Sequence, residues 1–418
     1  MSVETRGKSR LARWARGGAL ALAFSAGASA AVGQRTVSLQ DPGSRAPEVA
    51  AVDPATVQGL PSSRTYRPPE GIAFKATDFI SENVRLTAQW FYAAGAEGKT
   101  LPTVIMAHGW GTTAANFRED AVELARAGYL VMLFDYRGWG DSDGRVMLAG
   151  AQPVPRGSAA DGAFTAPVRE LRGYIDPGEQ SEDWFNAISY AATQPMVDAN
   201  RIGLRGSDLS GGYVIYAAAH DTRVKALVSQ VTWADLRPSK PYQPNPARVV
   251  AEGDAAASRI AGGQAAYPAD RARFAGLGPA LVGAPVGNKL PRWTPVDEAA
   301  GVTQPALFVL AEKEELFSNT FNGRLACERV QGPRKMVILP KITHYDIYGL
   351  ERGRAITAAI DWFDRYLKPP GAPTRAPIDR RAPERGACNP PPLPPAGEEK
   401  KDGSGQGHKA QNTSTRWN

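Results

Sequence analysis

Gly206-Ser207-Asp208-Leu209-Ser210-Gly211-Gly212 lies between a short strand-like run, Arg201 to Arg205, and a helix-like run of mostly small residues, Gly211 to His220. A strand that turns into a helix over a single residue crowds its own backbone, so the positions two before and two after that residue must be small. Three residues can be tested as the pivot. Asp208 has Gly206 before it and Ser210 after it at that spacing, and fits. Ser207 has Arg205 and Leu209 there and clashes, while Ser210, with Asp208 and Gly212, fits on one side only. The turn therefore presents an aspartate where a nucleophile elbow ordinarily carries serine. The competing reading is a plain strand–loop–helix in which Asp208 caps the helix.

Outward from this turn, apolar strands alternate with amphipathic helices. Strands are expected at Val84 to Tyr92, Pro102 to Met106, Tyr129 to Phe134, Val224 to Val228, Ala306 to Leu310 and Met336 to Leu339. Helical spacing runs over Asn116 to Ala127, Glu179 to Thr193 and Arg352 to Tyr366. This alternation predicts an α/β fold, a mainly parallel sheet covered by helices on both faces, over residues 71–368. Two stretches interrupt it. Residues 145–175 form a Gly- and Pro-containing insertion, and residues about 233–300, with Pro238, Pro241, Pro244 and Pro246, are expected to form a cap over the carboxyl ends of the strands.

The chain order supplies partners for the elbow. His344 follows the strand at 336 to 339 and precedes the last helix, where a base must sit to reach Asp208. The turn after the strand at 306 to 310 carries Glu312, Glu314 and Glu315; Glu314 is the chosen acid to orient the imidazole, with the other two left open. His108-Gly109-Trp110-Gly111 ends an early strand. There the Trp110 backbone N–H, together with the Leu209 N–H after the pivot, would form an oxyanion hole. His108 itself is read as structural.

Together these pieces resemble the α/β-hydrolase superfamily over residues 80 to 368. Asp135-Tyr136-Arg137-Gly138-Trp139-Gly140-Asp141-Ser142 and Thr343-His344-Tyr345-Asp346-Ile347-Tyr348 look like its bacterial dienelactone-hydrolase and prolyl-peptidase-related branch. The resemblance implies an α/β-hydrolase fold with a cap and a triad completed by His344 and an acid near Glu314. It also implies serine at the position of Asp208, which is where this chain departs from it.

A carboxylate needs no deprotonation and displaces at sp³ carbon, leaving an alkyl-enzyme ester that a His-activated water hydrolyses. Members of the superfamily that work this way open epoxides or expel halides. Leu209 stands where the dehalogenases place a halide-holding Trp, and Gly111 stands at the Pro position of the epoxide-hydrolase His-Gly-x-Pro run. The Trp110 indole is a candidate halide donor; Tyr242 and Tyr267, in the expected cap, are candidates to protonate a leaving oxygen. Epoxide opening leads halide displacement. Two readings compete. One is an esterase, lactonase or C–C hydrolase with Asp208 as a base or with Ser207 or Ser210 recruited as nucleophile. The other is a non-catalytic binding protein on a degenerate hydrolase fold.

Composition narrows the partners. The chain has 418 residues, 43% hydrophobic and 22% charged, with a formal charge of +7. Much of that charge comes from Arg6, Lys8, Arg10, Arg13 and Arg16 in the first thirty residues. No basic stripe with interleaved aromatics points to nucleic acid, so a small-molecule substrate is expected. The basic start, the apolar run Gly17 to Ala28 and the small-x-small site Ala28-Ser29-Ala30 read as a signal peptide over 1–30, making the mature protein periplasmic or secreted. No later run is apolar enough to span a membrane. Residues 31–70 read as an extended arm, and the Pro-rich stretch 369–418 as a disordered tail. No metal-ligand cluster, glycine-rich dinucleotide loop or phosphate loop occurs, so no cofactor or metal is expected. Cys327 and Cys388 are compatible with one disulfide or with two free thiols. Oligomeric state leaves no trace in the sequence.

Overall fold

The computed structural model describes residues 62–149, 166–235, 237, 258, 284–285, 289, 292–378 and 386–394. Residues 1–30, read above as a signal peptide, most of the stretch read as an arm, most of the stretch expected to form a cap and the end of the tail lie outside them.

Eight strands form one sheet. In chain order they begin with β1 (Ile72–Ser81), β2 (Val84–Ala93), β3 (Leu101–Ala107) and β4 (Leu130–Phe134). Arg145–Leu148 (β5) pairs antiparallel with Val168–Leu171 (β6), so the insertion at 145–175 has a hairpin for its base. Tyr174–Ile175 (β7) makes a two-residue parallel bridge to Ala284–Pro285 (β10). The main sheet continues with β8 (Val197–Ser207), β9 (Val224–Gln230), β11 (Ala306–Ala311) and β12 (Arg334–Leu339). Its spatial order is β1-β2-β4-β3-β8-β9-β11-β12. β1 and β2 are antiparallel to their neighbours, and from β4 onward every pairing is parallel. The α/β expectation is met.

Helices cover both faces because each parallel strand is apolar on both sides. Along β3, Val104 and Met106 join one buried cluster while Ile105 and Ala107 join the other. The first cluster is roofed by α1 (Arg118–Arg126) and α6 (Arg352–Tyr366), which contribute Ala121, Leu124, Ile356 and Phe363. The second lies under α2 (Pro177–Ala192) and α3 (Leu209–His220), with Trp184, Ile188, Tyr213 and Val214, and under the short α4 (Pro295–Glu298) and α5 (Leu325–Arg329). Among the described residues no helix is long and apolar enough to cross a membrane.

Two expectations change. β1 extends the sheet by an edge strand before Val84; its burial does not alternate cleanly, which hid it. The expectation of disorder over 369–418 fails for 369–378 and 386–394. The Gly386 N–H donates to the Arg334 carbonyl and the Leu393 N–H to the Ile338 carbonyl, at 2.8 Å each, so this segment runs along β12. A Cys327–Cys388 disulfide clips it to α5. Leucine 393 and cysteine 388 thus lie on a segment held by backbone bonds and a covalent link, which composition does not report.

Candidate active site

β8 ends at Ser207 and α3 begins at Leu209, so the chain turns over Asp208 alone. Its backbone sits at φ 58°, ψ −125°. A non-glycine residue in that region costs on the order of 1–3 kcal/mol, which the surroundings must offset. They do so with three bonds: the Asp208 N–H donates to the Gln230 carbonyl (2.9 Å), and its own carbonyl accepts from Gly211 N–H (2.9 Å) and Trp233 N–H (3.0 Å). The frame inferred from spacing is enforced by contact, since a Cβ on Gly206 would stand 2.1 Å from the Ser210 carbonyl oxygen.

The elbow holds Asp208 at 4% exposure beneath His344, which is 2% exposed. His344 Nδ1 lies 3.0 Å from both Glu314 carboxylate oxygens, and Nε2 lies 3.9 Å from Asp208 Oδ1. Donation from Nδ1 to Glu314 leaves the Nε2 lone pair facing Asp208. The other two acids serve the backbone: Glu315 accepts from the His344 N–H at 2.7 Å and Glu312 from the Lys341 N–H at 2.6 Å. Of the three candidates, Glu314 is the one that meets the imidazole ring.

The Trp110 and Leu209 N–H groups, expected to form an oxyanion hole, converge on the side chain of Asp208. Trp110 N–H donates to Oδ2 at 2.7 Å, and the Leu209 N–H also bonds the carboxylate. Oδ1 is buried and has no hydrogen-bond partner. Gly109 makes this approach possible, because a Cβ there would stand 2.8 Å from both Asp208 Cβ and Oδ2. The N-terminus of α3 adds its favourable end to the same carboxylate.

Burial pushes the Asp208 carboxyl above the usual carboxylate range, against the pull of His344 and the two N–H donors. For His344, burial works against the charged form, but the hydrogen bond and charge of Glu314, with the charge of Asp208, outweigh it and raise the imidazole. His108 is lowered to about 4 by burial. Its Nδ1 faces the Gly109 carbonyl at 2.9 Å and its Nε2 accepts from the Tyr136 N–H at 3.4 Å, a structural role.

Neither neighbouring serine faces His344. Ser207 Oγ lies 2.8 Å from the Tyr348 hydroxyl and accepts from Gln230 Nε2 at 3.2 Å. Gln230 is bonded in turn by Arg205 (3.0 Å), whose guanidinium pairs with Asp120 at 2.7 Å, so Ser207 belongs to a buried polar chain below the elbow. Ser210 Oγ lies 3.0 Å from the Tyr136 hydroxyl. Trp110 stacks on Trp233, and Trp233 on Phe317, with centroids 5.3 and 5.2 Å apart; Phe317 then meets His344 edge-on at 5.5 Å. This aromatic wall spans from Trp110 to His344. Only the identity of Trp110 hinted at it beforehand, since Trp233 and Phe317 come from separate loops. Tyr242 and Tyr267 lie outside the described residues.

Among the described residues no three His, Cys, Asp or Glu side chains gather in a metal-holding group. A family model for the X-Pro dipeptidyl-peptidase S15 family matches residues 82–275. The chain is 33% identical over 158 residues to the quorum-quenching protein AidA of Acinetobacter baumannii, covering 38% of this chain and 43% of that protein. It is 30% identical over 170 residues to the thiohydrolase aneE of Aspergillus aculeatus, covering 40% and 46%. The match thus spans less than half the length of these relatives. The crystal structure of the alpha/beta hydrolase GrgF from Penicillium superposes with a TM-score of 0.54 at 20% identity, over 71% of this chain and 99% of that one. With the strand order and the single-residue turn between β8 and α3, the structural likeness shows that the chain has the α/β-hydrolase fold.

Proposed function

We propose that this chain is a hydrolase that uses Asp208 as a nucleophile at sp³ carbon, with an epoxide ahead of a halide, through a covalent alkyl-enzyme ester. One observation carries the reading: both hole donors are engaged by the Asp208 carboxylate, whose other oxygen is buried, unbonded and turned toward His344. A serine enzyme keeps its hole open for the oxyanion of the substrate. A hole filled by the carboxylate of the nucleophile stabilises charge that develops on that carboxylate.

The steps follow from the two oxygens. A lone pair of Oδ1 forms a bond to the epoxide carbon, the ring C–O bond breaks, and its electron pair moves onto the ring oxygen. Asp208 is now an ester whose carbonyl oxygen, Oδ2, stays on the Trp110 and Leu209 N–H groups. Water gives a proton to His344 Nε2 and attacks Cγ, and the resulting oxyanion forms on Oδ2, where the donors already sit. Collapse breaks the bond from Cγ to Oδ1, the departing oxygen takes the proton held on His344 Nε2, and the diol leaves with the Asp208 carboxyl restored. Alkylation also removes the Asp208 charge that helps hold His344 protonated, so more of the imidazole is neutral and able to accept a proton in the step that needs it.

The thiohydrolase relative favours acyl chemistry as a second reading. In it Asp208 would act as a base toward water, and the serines would have to leave their bonds to Tyr348 and Tyr136 to act as nucleophiles. Trapping separates the two. His344→Gln, treated with para-nitrostyrene oxide, should gain the mass of the whole epoxide on the peptide that contains Asp208, and the double variant with Asp208→Asn should gain nothing. No adduct from epoxides or alkyl halides, with para-nitrophenyl acetate turned over by wild type, would overturn the sp³ reading. Export belongs to the same proposal, on the pattern of residues 1–30, and calls for a chain shortened by that segment in the periplasm or medium.

A further inference from the structure

Ring opening leaves an alkoxide; His344 must be neutral to serve as the base of the next step, and neither Asp208 nor the backbone N–H groups can give that oxygen a proton. Four described tyrosines have phenols within electrostatic reach of Asp208: Tyr136, Tyr213, Tyr345 and Tyr348. Three commit their hydroxyls elsewhere. Tyr136 meets Ser210 at 3.0 Å and accepts from Trp184 Nε1 at 2.8 Å, Tyr213 donates to Gln180 at 2.6 Å, and Tyr348 meets Ser207 at 2.8 Å. Tyr345 alone of the four keeps a hydroxyl with no hydrogen bond among the described residues.

Its position suits an acid. The ring stands edge-on to His344, centroids 5.2 Å apart at 73°, and the residue is 40% exposed. The backbone around it is pinned on both sides: His344 N–H donates to Glu315, and Thr343 N–H and Oγ1 both donate to Asp346 Oδ2 at 2.9 Å. Burial, then the charges of Asp208, Glu315 and Glu314 in that order, push the phenol up to about 12, so it stays protonated at neutral pH. An alkoxide, whose conjugate acid is about as weak as water, is basic enough to take that proton.

We infer that Tyr345 is a further catalytic residue, the acid that hydrogen-bonds the epoxide oxygen and protonates it as Asp208 opens the ring. The electron pair of the breaking C–O bond takes up the phenolic proton, and solvent at the exposed side of the ring re-protonates the phenolate. The inference rests on the ring-opening reading above and extends it to the leaving oxygen.

The test uses two leaving groups on similar carbon frames. In the His344→Gln background, single-turnover alkylation is followed by intact mass with para-nitrostyrene oxide, which needs a proton, and with para-nitrophenethyl bromide, which does not. Tyr345→Phe should slow the epoxide step by about 10²-fold or more, the usual contribution of a general acid, and leave the bromide step within about twofold. Its melting temperature should match that of the parent. Unchanged epoxide alkylation would overturn the inference, and so would equal slowing of both probes, the mark of a ring that only packs. If neither probe alkylates Asp208 with Tyr345 intact, the ring-opening reading itself fails and the inference falls with it.

Discussion

Gly109→Ala places a methyl carbon 2.8 Å from Asp208 Cβ and Oδ2 and 3.0 Å from the Ser207 carbonyl oxygen. Ordinary contact needs about 3.5 Å, so the carboxylate must give way by roughly 0.7 Å. The neighbouring Trp110 N–H bond, now 2.7 Å, would then stretch to the edge of hydrogen-bond range. Losing one hole donor costs on the order of 10²–10³ in kcat, about 2.7–4 kcal/mol. The same overpacking costs stability of about 1–3 kcal/mol, or roughly 5 °C in a domain of this size. The assay pairs a melting curve with single-turnover kinetics on para-nitrostyrene oxide, resolving ester formation from ester hydrolysis. The expected result is a small loss of melting temperature with a large loss of rate, heaviest in hydrolysis, where the oxyanion forms on Oδ2. Hydrolysis within about threefold of wild type in a folded variant would refute the assignment of Oδ2 to the hole.

Other outcomes follow from the same geometry. Alkylation requires ionised Asp208, which burial holds above the usual carboxylate range, so its rate should rise with pH through an inflection above that range. Hydrolysis requires neutral His344 and should also rise with pH. Its inflection should lie below that of the free-enzyme histidine, followed by NMR, because the ester no longer carries the Asp208 charge; an equal or higher inflection contradicts this coupling. Asp208→Ser vacates the hole and should lose epoxide turnover while gaining fluorophosphonate labelling and para-nitrophenyl acetate hydrolysis; a folded variant with neither gain counts against the triad. Cys388→Ser opens a link across a sequence separation of 61 residues. The chain-entropy account puts that link at about 4 kcal/mol, so the melting temperature should fall by several degrees with the kinetics unchanged.

Much of the site could be read from spacing because the constraint is local. Small residues around Asp208 are demanded by a turn of one residue, and the contact at Gly206 is that demand seen in space. The position of His344 follows from chain order in a parallel sheet. The choice among Glu312, Glu314 and Glu315 does not, because neighbouring residues of one turn point in different directions. One reaches the imidazole, and the others tie down the backbone that carries it. The engagement of the hole by Oδ2 is a matter of ångströms between residues a hundred positions apart, and no pattern of letters encodes it. Tyr345 stood beside His344 from the start, yet it becomes notable only when the hydroxyls of Tyr136, Tyr213 and Tyr348 are all found engaged. The β12 strap was hidden for a different reason: proline-rich composition speaks for local disorder, and what orders Cys388 is a partner far back in the chain.

In the proposed reaction Asp208 becomes an ester and water attacks its Cγ. Mass spectrometry of the peptide spanning the elbow, after a single turnover of para-nitrostyrene oxide in water enriched in the heavy oxygen isotope, reads this directly. The heavy oxygen should appear in the Asp208 carboxylate and ordinary oxygen in the diol released by that turnover. Heavy oxygen in the diol with an unlabelled Asp208 would contradict it, because water would then have attacked the substrate and Asp208 would have served only as a base.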